Sequence, residues 1–255
     1  MTESRNGARN VKTNLTRKNR GTHALLLLAG AALAVFWNPV SALPQSEQVA
    51  ERVAALKKSL AESQARLKQY EWIETTVTRL KGEEKSRKQN RCYYGADGEV
   101  QKVPVSAAPQ QQQGKKRGMK ARIVENKKEE MAEYMQRATS LVKRYVPPTP
   151  DGIQAAKDAG NVAVEKGEGG HVRVNIRGYV KPGDNLAIEA DLASNRVLGM
   201  KVSSYLDDKQ DVVGLEVHFG LLPDGTNYAD RITLDATAKN VRVAIENSGH
   251  RKAAN

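Results

Sequence analysis

The sequence has little of the chemistry that most enzymes and metalloproteins require. It contains one cysteine and four histidines among 255 residues, so an intramolecular disulfide is excluded. No nucleophile elbow, P-loop or dinucleotide-binding fingerprint occurs. His171, His218 and His250 have no partner at metal-ligand spacing, and the pair formed by Glu216 and His218 on one strand face is typical of a solvated surface. We therefore predict no catalytic residue, no metal and no cofactor.

Cys92 stands in a strand-like stretch, where a buried apolar side chain is favoured over a reactive thiol. The aspartates at 97, 207–208 and 224 lie in predicted turns, where Asp is favoured because its carboxylate bonds the local backbone. An enzyme that uses these carboxylates is therefore the least favoured function.

Long hydrophobic runs are absent except for one near the N-terminus. Residues 24–37 carry no charge and follow six basic residues and one acid in 1–22. Pro39 comes next, and Val40, Ser41 and Ala42 then form a small-residue pattern that signal peptidase could cut after. This order is that of a secretory signal. A helix of 14 residues spans about 21 Å, short of the roughly 30 Å hydrocarbon core, which favours a cleaved signal over the alternative, an uncleaved anchor. In both cases we predict that residues 43–255 work in the periplasm or are secreted.

Almost half of the net positive charge of the chain lies in that segment. Residues 1–42 hold six of the 41 basic residues and one of the 29 acidic ones, so the remainder has a net charge of +7 instead of +12. Moderate basicity of this kind is mainly a matter of solubility. Because no nucleic-acid-reading module occurs either, we predict no nucleic-acid partner.

Two segments repeat apolar residues at helical spacing. The first spans 46–70, with Ser46 as a candidate N-cap. The second spans 126–145, and its apolar face includes Met131 and Met135. It must end before the prolines of 147–150, which we interpret as a stiff extended spacer. Residues 106–118 are rich in Gln, Gly and Lys and predict a flexible loop.

Nine segments show the composition or the alternation of β-strands. Six of them follow one another in the C-terminal part, and each has one apolar and one polar face. We place the strands at 71–81, 85–94, 99–105, 172–177, 186–191, 198–202, 213–221, 231–235 and 241–246. Short turns join the last six, as in an antiparallel meander with one wet face.

Such a sheet must hide its apolar face, and the two amphipathic helices are the available cover. The predicted fold class is therefore α+β, with a curved antiparallel sheet, a half-barrel meander, covered by two helices. We expect residues 43–255 to form a single domain.

The order helix, meander, helix-containing insertion, meander resembles the periplasmic lipoprotein-carrier family (LolA-like) and the related envelope-stress sensor domains of the RseB type. The residues that prompt this comparison lie at 67–72, 94–98 and 186–196. In that family a half-open barrel closed by helices holds acyl chains. The resemblance implies the same plan here and a ligand of lipid or lipoprotein acyl chains, close to a membrane.

From these features we predict a non-enzymatic binding protein for an apolar ligand, a lipid or a lipidated protein. The alternative is an envelope protein-interaction or stress-sensor module of the same fold with a filled core and a protein partner. The candidate ligand-binding residues are strand positions on the apolar face, with Trp72 and the second helix as a lid: Trp72, Met131, Met135, Val213, Leu215, Val217, Phe219, Ile232 and Leu234.

Overall fold

A computed structural model describes residues 45–105 and 119–253, with the side chains of 55–105 and 122–253. The predicted targeting segment 1–42 and the predicted loop 106–118 lie outside these residues. Within them the chain forms three α-helices and ten strands. The helices are α1 (Gln45–Leu67), α2 (Met119–Val142) and α3 (Pro150–Asp158). The strands are β1 (Tyr70–Leu80), β2 (Glu83–Tyr94), β3 (Val100–Pro104), β4 (Val162–Lys166), β5 (His171–Arg177), β6 (Asn185–Asp191), β7 (Arg196–Tyr205), β8 (Val212–Leu221), β9 (Asn227–Ala236) and β10 (Val241–Lys252).

All ten strands belong to one open sheet in the order β3-β2-β1-β10-β9-β8-β7-β6-β5-β4. Every neighbouring pair is antiparallel. The predicted α+β class, a curved antiparallel sheet with helices on it, is therefore confirmed. The chain order is broken once, where β1 pairs with β10 and not with a strand close to it in sequence.

The register explains why one face of the sheet is apolar. Residues directly opposite each other on neighbouring strands point to the same side. Reading across the sheet from β10, one such row runs Val243, Leu234, Leu215, Val202, Leu186, Ile176 and Val162. On the other side of β10 the same row continues with Thr78 and Ser86. The apolar row therefore ends at β10.

The helices close over the strands in the middle of this row. α1 packs mainly on β7 and β9, α2 on β8, and α3 on β5. Leu56 of α1, Val142 of α2 and Ile153 of α3 are each fully buried in the main core. By contrast, Val243 and Ile245 on β10 are only partly buried. Cover by two helices was thus an incomplete prediction, because α3 is a third.

Helix α3 begins at the last residue of the predicted spacer, Pro150, and strand β4 follows it. Pro150 lies in the first turn of α3, and the Thr149 side chain accepts the Gly152 N–H as an N-cap, a combination that favours helix initiation. Gly152 is required there, since a Cβ would lie 2.9 Å from the Tyr179 ring. Interpreting 147–150 as an extended spacer was therefore wrong at its C-terminal end.

The two predicted helices differ from the observed ones mainly at their ends. α1 ends at Leu67, and Tyr70 begins β1 by pairing with Lys252, so the apolar stripe runs past the helix into the strand. α2 begins at Met119, seven residues before its predicted start, and ends at Val142, three residues early. The first shift reflects a charged but helix-favouring segment, and the second reflects the prolines that follow.

One buried hydrogen-bond network joins the segment after α2 to the turn between β5 and β6. Asp184 is 2% exposed and accepts the backbone N–H groups of Tyr179, Val180 and Lys181 at 2.7, 3.0 and 2.8 Å. It also accepts the hydroxyl of Tyr145, which lies just after α2. A single carboxylate thereby accepts the hydrogen bonds of three successive backbone N–H groups and one hydroxyl. Its loss would leave these donors without that acceptor.

We expect Asp184→Ala to lower the free energy of unfolding by about 3 kcal/mol, because three backbone donors and one hydroxyl lose their acceptor. Asp207→Ala is the control: its carboxylate is 80% exposed and pairs with Arg137 at the surface, so its removal should cost less than about 1 kcal/mol. Urea unfolding followed by circular dichroism measures both. Equal losses for the two variants would contradict this assignment.

Candidate ligand-binding groove

Helix α2 leaves the body of the protein toward its N-terminal end. Residues 122–130 are all exposed, although they are helical. From Met131 onward the helix turns inward, and Tyr134, Ala138 and Leu141 are buried. Only about half of α2 therefore packs on the sheet, and the transition lies near Met131.

Three polar contacts join α2 to the sheet between Glu130 and Arg137. Lys239 donates to Glu130 Oε1 at 2.6 Å, the Tyr134 hydroxyl donates to Asp211 Oδ1 at 2.6 Å, and Arg137 pairs with Asp207. The acceptor or donor lies each time in a turn of the sheet. Burial and the bond to Asp211 raise the pKa of Tyr134, while the Lys239 contact lowers the pKa of Glu130. The Tyr134 hydroxyl and the Glu130 carboxylate thus keep their proton states at neutral pH, and the contacts persist.

An open groove of about 680 Å³ lies where α2 leaves the sheet. Its volume is within the range of ligand sites, roughly 300–1,000 Å³. Apolar side chains from α2 and from the end of β1 line it together with charged side chains. The lining residues are Leu80, Val124, Lys127, Lys128, Glu130, Met131, Ala132, Met135 and Lys239.

The helix face above the groove carries an unusual mixture of side chains. Val124, Met131 and Met135 are separated by seven and four residues, the spacing of one helical stripe. Lys127 and Lys128 occupy the positions between Val124 and Met131, which an ordinary core-facing stripe fills with apolar residues. The groove is therefore lined by apolar and cationic groups from the same face.

The structure places the nine predicted site residues in three different surroundings. Met131 and Met135 line the groove. The strand residues belong to the main core beneath the helices, where Phe219 is partly buried and the rest are buried: Val213, Leu215, Val217, Phe219, Ile232 and Leu234. Trp72 lies elsewhere, in a small cluster on the N-terminal strands. Only the two methionines are brought together at an accessible surface.

Trp72 is 2% exposed and packs with Cys92 and Val100. Its Nε1 donates to Asn247 Oδ1 at 3.1 Å. The prediction of a buried Cys92 is confirmed: the residue is fully buried, and burial raises the pKa of its thiol to about 12. This thiol is therefore protonated and unreactive at neutral pH.

An imidazole completes the Trp72 cluster. The His250 ring stacks on Trp72 with 5.8 Å between centroids, and Tyr228 packs against His250 at 4.1 Å. Gly249 precedes it with φ of +63°, where β10 shifts its register against β1. The left-handed conformation of this glycine allows a bulge that turns the imidazole toward Trp72.

Several groove residues were missed by sequence reasoning. Leu80 was placed on a strand but not at its accessible end, and Lys239 was assigned to a turn. Val124 falls seven residues before Met131, on the same stripe, so helical periodicity extended toward the N-terminus would have found it. Nothing in the sequence brings Lys239 near α2, since that proximity depends on the sheet.

Among residues 55–105 and 122–253, the acidic, His and Cys side chains make no cluster that could hold a metal ion. None of the helices in the described part of the chain is both long and apolar enough to cross a membrane.

Comparison with known proteins gives likeness of fold only. No family model matches the sequence, and no curated protein matches it. Among solved structures, the chain is similar to a DUF1329 family protein from Desulfovibrio piger, with a TM-score of 0.35 and 10% identity over 79% of this chain and 92% of that one. It is also similar to a LolA superfamily protein from Nitrosomonas europaea, with a TM-score of 0.35 and 6% identity over 78% and 94%.

A LolA superfamily protein is thus among the structures that the chain resembles, in agreement with the fold-level resemblance predicted from the sequence. Both TM-scores lie below 0.5, so neither match bears on the ligand or on the site.

We expect His250 to make the protein sensitive to mild acid. Burial lowers the pKa of His250 from 6.5 to about 4, so between these values the unfolded chain takes up a proton that the folded chain does not. Stability from this residue is therefore present above pH 6.5 and is lost as the pH falls toward 4. In His250→Phe, which keeps a ring beside Trp72, the melting temperature should fall less over this interval than in the wild type.

The control for this experiment is His218→Gln, since His218 is 53% exposed beside Glu216. Its melting temperature should follow the wild-type pH profile. A His250→Phe profile parallel to that of the wild type would show that His250 is not the group responsible.

Proposed function

We propose that this chain is an extracytoplasmic, non-enzymatic protein that binds an acyl chain in the groove between α2 and the end of β1. One observation carries the proposal: an open, largely apolar groove of about 680 Å³ at the place where the helical cover of the sheet ends. An apolar surface of this kind on a folded protein favours a ligand that removes it from water. Extracytoplasmic placement rests on the signal-like order of residues 1–42.

The side chains of the groove suit a flexible aliphatic ligand better than a rigid one. Met131 and Met135 have unbranched, polarisable side chains that repack around different shapes. Both are partly buried and, like Leu80 and Val243, pack against the cluster of Tyr134, Ala236 and Val241, so the groove adjoins apolar residues of β10. An acyl chain bound there would pack against these apolar side chains and remove them from solvent.

The proposed ligand contacts are therefore centred on Met131 and Met135. The six strand residues of the original prediction would reach a ligand only if the helices above them moved, and Trp72 only if its cluster opened. These seven remain proposals for an expanded state of the protein and are not needed for a ligand in the open groove.

A protein-interaction or sensor module is the second candidate. The filled core under α1, α2 and α3 supports it, as does the edge strand β3 with Val103 and the following Val105 exposed at 40% and 54%. An open sheet edge with apolar side chains can accept a further strand from a partner. This function predicts a bound protein and no dependence on acyl chains.

We expect affinity for neutral single-chain amphiphiles to rise with chain length. Each buried CH₂ contributes about 0.8 kcal/mol, so every two added carbons should tighten binding by roughly tenfold until the groove is filled. Monoacylglycerols of increasing length, each below its micelle concentration, can be titrated into the exported protein by calorimetry. No dependence on length would contradict the acyl-chain proposal.

Filling the groove should abolish this binding. Ala132 lines it and is exposed, so in Ala132→Trp the indole would take the space of the ligand and weaken binding by at least about tenfold. Gln136→Trp is the matched control, because Gln136 is exposed on the same helix but outside the groove.

Extraction of the exported protein followed by lipid mass spectrometry tests the same proposal with native ligands. A lipid that accompanies the wild type and the Gln136→Trp control but not Ala132→Trp would support it. Recovery of a protein partner without lipid would favour the interaction module.

A further inference from the structure

We infer that the ligand of the groove is an anion: a single aliphatic chain that ends in a carboxylate or phosphate, with the headgroup held by Lys127 and Lys239. This inference rests on the proposed function and adds the chemistry of the polar end. The opposite possibility is a neutral chain, over which the lysines would merely lay their aliphatic stems.

The first support is the position of the cations. Lys127, Lys128 and Lys239 all line the groove. Lys127 and Lys128 come from the exposed stretch of α2, and Lys239 comes from a turn that follows β9. Lysine side chains from two separate elements thus line one apolar cavity.

The second support is the charge balance at this place. Glu130 is held by Lys239 at 2.6 Å, and its pKa is lowered first by that bond and then by the nearby charges of Lys239 and Lys127. Because Lys239 already satisfies this carboxylate, the charge of Lys127 beside the groove favours an anionic ligand.

The third support is that the ion pair of Glu130 and Lys239 lies at the surface beside the groove, where a ligand anion can replace Glu130. Its side chain is 63% exposed, and that of Lys239 is 39% exposed. Both can reorient without disturbing the core, since the Tyr134–Asp211 contact still holds α2 on the sheet. An incoming carboxylate or phosphate would meet Lys239 from the groove side, with Lys127 one helical turn before Glu130 on the same helix.

The test compares three ligands with the same twelve-carbon chain: laurate, dodecyl phosphate and the neutral monolaurin. We expect both anions to bind the exported protein about tenfold more tightly than monolaurin at low ionic strength, the effect of two partly exposed ion pairs. Salt of about 0.5 M should remove most of this difference, because it screens exposed charges. The tighter of the two anions identifies the carboxylate or the phosphate as the better headgroup.

Two variants that change the charge beside the groove in opposite directions make the test specific. Lys127→Gln with Lys239→Gln should weaken laurate and dodecyl phosphate by about tenfold more than it weakens monolaurin. Glu130→Gln removes the competing carboxylate and should tighten both anions by about threefold. The matched control is Lys166→Gln with Lys201→Gln, which removes the same charge from exposed positions on β4 and β7 and should change none of the three.

The outcomes separate this inference from the proposed function. Equal affinity for all three ligands would overturn the inference and leave the acyl-chain site intact, whereas no binding of any of them would overturn both. Equal effects of the groove pair and the control pair of lysines would show that the anion responds to net charge alone, which also overturns the inference.

Discussion

The structure depends on one constraint: an open antiparallel sheet with one apolar face must have that face covered. Opposite residues from Val162 on β4 to Val243 on β10 form a single apolar row across seven strands. Three helices lie on it, and their main contacts are with β5, β7, β8 and β9. The cover is complete in the middle of the row and ends near β10, where Val243 and Ile245 are only partly buried.

Helix α2 contributes most of the residues that line the groove where this cover ends. Its C-terminal half is fixed by Tyr134, by Arg137 and by the buried residues that follow, so the position of Met131 and Met135 over the sheet is well defined. Residues 122–130 of α2 have no comparable burial. The groove therefore lies between side chains that pack on the sheet and an exposed stretch of α2.

Most of the sheet could be predicted from the sequence because period-two alternation reports directly on a half-buried strand. The six C-terminal strands show this pattern, and their turn residues separate them clearly. Strand β4 was missed, since five residues beside glycines give too short a signal. Helix α3 was missed because the prolines that favour its start are also typical of an extended spacer.

The site was harder to predict than the fold for a physical reason. Alternation identifies which residues face the core, but not where the cover above them ends. Val213, Leu215 and Val217 have the same pattern as Val243, yet the first three are buried and the last is partly open. That difference is set by the length and the path of α2 and by its contact with Lys239, and both are tertiary features. The two methionines of the prediction line the groove because they lie on α2.

The pairing of β1 with β10 has a consequence for how the chain can assemble. It joins Tyr70 to Lys252, so the three N-terminal strands attach to the remaining seven only through the last strand. Closing so long a loop is entropically costly and slow compared with forming the local hairpins. A chain that crossed a membrane channel from its N-terminus would complete its hairpins one after another, yet would lack this junction until Lys252 had emerged. The order of strands thus delays the final fold until β10 is free to pair with β1.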